Sequence, residues 1–171
     1  MTQSLVIELQ DEALLAAIGR AIELMEQPQQ LLGDIGDKLE SNAQLRWDER
    51  VDPTGQPWAP LSPATVAIYT SEWFIKRNPA FKAGIPGNLL ERTRQLRNSL
   101  AHNVGVDYVE IGTSRQVGKK QWQVGTLMEW GTSKMPRRGI LTANPKTGEL
   151  GAADTADVLA VLNGALGSAF S

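Results

Sequence analysis

Three groupings of side chains have the chemistry to act on a ligand. Gly118-Lys119-Lys120 has the glycine–lysine pair of a phosphate loop. It lacks the upstream glycine at the required spacing and the Ser or Thr after the lysine, so it reads as a basic turn. Asp48, Glu49 and Asp52 are three oxygen donors of the kind Mg²⁺ takes. Adjacent acids on a helix point in different directions, which makes them a solvated face. His102 is the one histidine, and no Ser or Asp beside it suits nucleophilic catalysis. It reads as a surface or strand-edge residue. The chain has no cysteine, which excludes disulfides, thiolate catalysis, zinc–thiolate sites and iron–sulfur clusters. No Gly-x-Ser-x-Gly, His-Glu-x-x-His or Gly-x-Gly-x-x-Gly pattern occurs. The expectation is a protein that is not an enzyme, with no catalytic residue, no metal site and no cofactor.

The 171 residues predict a single domain, 1–171, long enough to bury a core without staples. A hydrophobic share of 42% with 21% charged residues excludes a disordered chain. No apolar run reaches the roughly 18–20 residues that span a bilayer, and no basic start leads a long apolar stretch. The reading is a soluble protein of a reducing compartment. Net charge is −2, but it is unevenly placed. From Lys76 to Arg138 there are 12 basic and 4 acidic residues, and elsewhere 5 basic and 15 acidic. Either the charges scatter and cancel on the surface, or the subunit is polar with one acidic and one basic face. A total this near zero argues against strong free-standing affinity for nucleic acid.

The elements follow from periodicity. Leu5, Ile7 and Leu9 alternate as in a short strand, and Asp11 is placed to cap a helix whose stripe is Leu14, Ile18, Ala21, Ile22 and Met25. Pro28 ends it. Leu31, Ile35, Leu39, Ala43, Trp47 and Arg50 predict a second helix from about 30 to 50, weakened by Gly33 and Gly36. Three prolines and a glycine make 52–61 a turn, with Trp58 as a rigid plug for the core or an anchor for an interface, the core being preferred. Ser62 and Pro63 start a helix that runs toward Arg77, with Leu61 and Val66 at staple positions and Tyr69 and Trp73 on the same face. Residues 77–88 read as a flexible loop. Leu89, Leu90, Leu96 and Leu100 lead toward a strand. Val104, Val106, Val109 and Ile111 predict a hairpin turning near 105–107. A strand at 121–124, a helical turn over 126–130 closed by Gly131, and a long loop over 131–151 follow. Asp154 is placed to cap a last helix with the stripe Leu159, Leu162, Leu166 and Phe170. The fold class is α+β: N-terminal helices and a closing C-terminal helix packed on a small antiparallel β-sheet.

The stretch Asp52-Pro53-Thr54-Gly55-Gln56-Pro57-Trp58-Ala59-Pro60-Leu61-Ser62-Pro63-Ala64-Thr65 resembles the D-P-x-G-x-x-W-x-P-L-S-x-x-T segment of phage virion morphogenesis proteins, the tail-completion family of Mu-like phages. The motif positions are Asp52, Pro53, Gly55, Trp58, Pro60, Leu61, Ser62 and Thr65. Later blocks follow in the family's order: residues 89–100 are similar to I-L-x-x-T-G-x-L-x-x-S-I, 109–113 to V-x-I-G-T, 128–131 to H-x-x-G and 135–141 to I-P-A-R-x-F-L. The similarity covers residues 45–170. Arg94 stands where the family has glycine, Glu129 lies near a usual polar or histidine position, Gly139-Ile140 replaces the usual aromatic, and 77–88 looks like an insertion.

The resemblance implies a structural virion protein of a tailed phage, needed to finish tails or join them to heads, assembled in the host cytoplasm. The implied subunit forms a homo-oligomeric ring at the neck, sixfold, with twelvefold as the alternative. Its neighbours would be head-connector and tail-tube proteins, with non-specific DNA contact in the channel and no membrane. The alternative is a DNA-binding or assembly accessory that never enters the virion. Ring closure is expected between an acidic patch (Asp34, Asp37, Glu40, Asp48, Glu49) and a basic one (Arg92, Arg94, Arg97, Arg137, Arg138). Lys76, Arg77, Lys82, Arg115, Lys119 and Lys120 sit on segments expected to project into the lumen or toward a partner ring.

Overall fold

The structure is a computed structural model that describes residues 12–77, 94–118 and 120–170. The expected strand at 5–9, the Asp11 cap, most of the 77–88 loop and Leu89-Leu90 lie outside the described residues.

The longest element forms the centre. α2 (Gln29–Glu49) buries Ile35, Leu39, Ala43 and Trp47, the stripe that its sequence spacing predicts. Pro28 does more than end the preceding helix α1 (Glu12–Glu26): it is the N-cap residue of α2, and its carbonyl accepts from Leu32 N at 2.8 Å. Arg50 closes α2 in the left-handed region (φ 59) and is exposed, so it leaves the apolar stripe.

One face of α2 carries the antiparallel hairpin of β1 (Leu100–Val104) and β2 (Val109–Thr113), paired Leu100↔Thr113 through Val104↔Val109. A 3₁₀ turn, Arg97–Ser99, leads into it. The chain turns at 105–108, where valine alternation placed it. Gly36 permits the close approach of hairpin and helix: a Cβ there would run into the His102 ring. His102 stands on an edge strand, as expected, with its ring turned toward α2. Only 19% of its side chain is exposed, and its Nδ1 stands 3.0 Å from Glu40 Oε2.

A two-residue ribbon follows, β3 (Gln116–Val117) with β4 (Trp122–Gln123), then α5 (Val124–Trp130) capped by Gly131. The closing helix α6 (Ala152–Ala169) packs on α2 and on α1. The α+β class is as expected, with α2 standing between the closing helix and the hairpin. The core is Ala43, Trp47, Trp58, Leu96, Leu100 and Ile140, with Ile111, Val124, Met128 and Leu141 packed around it.

Three expectations need correction. The helix after Ser62 is two helices, α3 (Pro63–Thr70) and α4 (Glu72–Arg77). Ser71 breaks it: its backbone is extended (ψ 141), its hydroxyl donates to Ile68 O at 2.7 Å, and it then accepts from Phe74 N at 3.3 Å, recapping the next turn. Phe74, not Trp73, points inward. Phe74 packs on Tyr69 at 5.0 Å, while Trp73 is exposed beneath the Arg77 guanidinium at 4.8 Å.

Asp154 does not cap α6. Gly151 is the N-cap residue and offers no side chain. Asp154 is buried and accepts at Oδ1 from Arg46 Nη2 and from Asn42 Nδ2. A carboxylate in the first turn of a helix is already favoured by the macrodipole, and a guanidinium within reach draws it away from the cap.

The apolar stripes of α1 and α6 are not buried. In α1 the residue in the core is Ala17, whereas Leu14, Ile18, Ile22 and Met25 are exposed. In α6, Leu159, Leu166 and Phe170 are exposed and only Leu162 of that stripe is half-buried.

Candidate functional site

The motif turn is built by one carboxylate. Asp52 Oδ1 accepts from Thr54 N (2.8 Å), Thr54 Oγ1 (2.6 Å) and Gln56 N (3.1 Å). Gly55 holds φ +82, a backbone that only glycine adopts without strain. The prolines limit the rest, and the turn presents Trp58 to the core. Trp58 is 5% exposed, meets Trp47 edge-on at 6.1 Å, and its Nε1 donates to Gly139 O at 3.0 Å. Ser62 caps α3 by accepting from Thr65 N at 3.2 Å, and Leu61 and Thr65 are half-buried.

The turn is gripped from across the sequence. Arg138, 4% exposed, donates through Nε to Ala59 O (2.9 Å) and through Nη2 to Pro60 O (3.1 Å). Burial pulls its pKa below the ordinary guanidinium value. Arg137 donates through Nε to Glu129 O (2.9 Å), through Nη2 to Thr142 O, and places Nη1 3.5 Å from Asp52 Oδ2. Glu129 ties the other end. Its Oε2 accepts from Ile140 N (2.7 Å) and Leu141 N (3.3 Å), and its Oε1 from Thr142 N (2.8 Å) and Thr142 Oγ1 (2.5 Å). The motif turn, α5 and the 137–142 segment are thus one hydrogen-bonded clasp over the core. Replacing Glu129 by Gln keeps its shape but turns one acceptor into a donor facing backbone N–H groups. A loss of about 1–3 kcal/mol and faster proteolysis within 131–151 are expected in denaturation and limited-digestion experiments.

Arg97 is a second tie. Its Nε donates to Gln44 Oε1 at 2.7 Å, and Nη1 and Nη2 grip Asp48 at 2.7 and 2.9 Å. These hydrogen bonds hold the Asp48 carboxyl below its ordinary pKa, against the opposing effect of desolvation and with lesser help from the charges of Arg97 and Arg94. Asp157 is likewise lowered, first by the hydrogen bond from Asn42. A depressed carboxyl stabilises the fold above the ordinary carboxylate range, and that contribution is lost as pH falls through the folded-state value. Acidification below about pH 4 should therefore lower the melting temperature, and Asp48→Asn should flatten that limb.

Four residues of the two expected patches are engaged within the subunit, while Asp37 and Glu49 are exposed as expected. Arg97 and Asp48, assigned to opposite faces, pair with each other, while Arg137 and Arg138 are spent inside the clasp. Arg94 is exposed and Arg92 lies outside the described residues. Of the projecting cations, Lys76 is exposed with Glu72 at 3.9 Å, Arg77 lies over Trp73, and Lys120 is exposed at the β3–β4 turn. Lys82 and Lys119 lie outside the described residues. Asp48 and Asp52 face different partners, so they and Glu49 do not converge. Among the described residues no group of three or more His, Cys, Asp or Glu is placed to hold a metal, and no helix is long and apolar enough to cross a membrane.

Arg94 adopts φ 54, the left-handed region. The position where the family sequence has glycine is thus one where the backbone calls for it. Arg94→Gly is expected to relieve the strain and stabilise by up to about 1 kcal/mol, read from denaturant midpoints.

Sequence reasoning missed Arg46, Glu129, Arg137 and Arg138 as internal ties. The one available signal was the family block order, which places residues 128–141 after the motif turn without showing that they touch it. No curated protein and no solved structure matches the chain. The model of the phage virion morphogenesis family matches residues 9–166, nearly the whole length. With the motif turn and its clasp in place, the chain belongs to the phage virion morphogenesis family.

Proposed function

We propose that this phage virion assembly protein is a ring-forming neck or tail-terminator subunit, needed to complete tails and to join them to heads. The family match over residues 9–166 carries the reading. The fold agrees with it: the most specific motif goes into locking a turn onto the core through Trp58 and Arg138, which makes a rigid building block. The protein acts by assembly rather than catalysis. Its partners are further copies of itself, the head connector and the tail tube, and the exposed Lys76 and Lys120 contact phosphates sequence-blind or a neighbouring ring.

A phage lacking this gene product tests the reading. Electron microscopy of lysates should show filled heads and separate tails, with complementation by the wild-type protein restoring joined particles. Normal joined virions without the protein contradict it, and so does a protein that is required but absent from purified virions, which is the accessory alternative.

A further inference from the structure

Packing runs in one direction through the subunit. α1 lies on α6, α6 on α2, α2 on the β1–β2 hairpin, β2 on α5 and α5 on β4. The α1–α6 layer and the β3–β4 ribbon therefore stand at opposite ends of the order of contacts. Both ends expose large apolar side chains that the fold does not use. On α1, Ile18, Ile22 and Met25 recur at helical spacing on the flank away from Arg20, Glu23 and Gln27, which line a groove with α2. On α6, Leu166 and Phe170 are exposed. On the ribbon, Trp122 is 55% exposed and its cross-strand partner Val117 is 40% exposed.

The charges at the two ends are opposite. α1 carries Glu12, Glu23 and Glu26 against Arg20, while the acids of α6 are engaged within the subunit, Asp154 with Arg46 and Asp157 with Asn42 and Lys38. The ribbon and its flanks carry Arg115 and Lys120, and no acidic residue lies between Ile111 and Met128. Including Leu14, Leu15 and Leu159, the helical layer exposes eight large apolar side chains at about half their area. Summed over the two helices that is roughly 700 Å², close to one partner's share of a stable interface.

We infer that the basic, tryptophan-bearing β3–β4 ribbon of one subunit docks on the apolar side chains of α1 and α6 of a second copy, with the acids of α1 facing its cations. The inference rests on the ring-forming reading and names its contact. The two surfaces are unlike, so the contact is heterologous, and repeated with closing rotation it generates a ring. Trp at the centre of an acidic-to-basic seam is the residue type that dominates such interfaces.

Two variants test it by mass. Ile18→Asp/Ile22→Asp spoils the helical face and Trp122→Asp spoils the ribbon, all at exposed positions, with circular dichroism confirming the fold. Should the double variant not fold, Met25→Asp, at 76% exposure, replaces it. Each variant alone should be monomeric in native mass spectrometry where the wild type is a ring. Their mixture should give one-to-one heterodimers and nothing larger, since each supplies one intact face. Rings from either variant alone overturn the inference while leaving the ring reading in place. Homodimers of Trp122→Asp mean that the helical faces pair with each other, and they overturn it as well. A wild type that stays monomeric at high concentration and low salt, with no ring in assembled virions, overturns both.

Discussion

Trp58→Ala is expected to lower stability by about 3–5 kcal/mol, which for a chain of this size is a melting temperature reduced by roughly 10 °C or more. Trp58 is 5% exposed and fills the space between Trp47 and Ile140 in the core. Truncation leaves a cavity bounded by a turn that cannot collapse, because Asp52, Pro53, Gly55 and the Arg138 grip hold its backbone. It also leaves Gly139 O without its indole donor. Thermal and denaturant unfolding measure the effect. An unchanged melting temperature with failed assembly would move Trp58 from the core to a subunit interface.

The second large effect is expected at Arg46. Its guanidinium is 10% exposed, donates to Ile140 O at 2.9 Å and pairs with Asp154, whose side chain is 1% exposed. Arg46→Met removes the cation and strands a buried carboxylate, which typically costs about 3–5 kcal/mol. Arg46→Met/Asp154→Leu removes both charges and should recover much of the loss, since a buried pair is seldom worth more than well-packed apolar groups. Denaturant midpoints of the two single variants and the double variant give the coupling. Losses that simply add would show that the two groups do not act as a pair.

Much of the fold was legible in the sequence, for a physical reason. α2, the hairpin and the Ser62 cap are set by side chains near one another along the chain: the 3.6-residue stripe from Ile35 to Trp47, valine alternation about residues 105–107, and a serine hydroxyl three residues from its donor. The grips of Arg46 and Arg138 were not legible, because their partners include main-chain groups far away in sequence. Arg46 reaches a carbonyl 94 residues distant and Arg138 one 79 residues distant. Charge counting treats every arginine as surface and so placed Arg97, Arg137 and Arg138 on an outer patch. Periodicity likewise finds an apolar stripe but not its destination. On α2 the stripe faces the core, and on α1 and α6 it is left in the open.

The central claim is that this subunit works as part of a closed ring. Native mass spectrometry of the purified wild-type protein over a range of concentrations tests it most directly. A single discrete assembly of six subunits, or twelve, is the predicted result, weakening with added salt because part of the contact is electrostatic. A protein that remains monomeric at high concentration and low salt, and is absent as a ring from assembled virions, would contradict it.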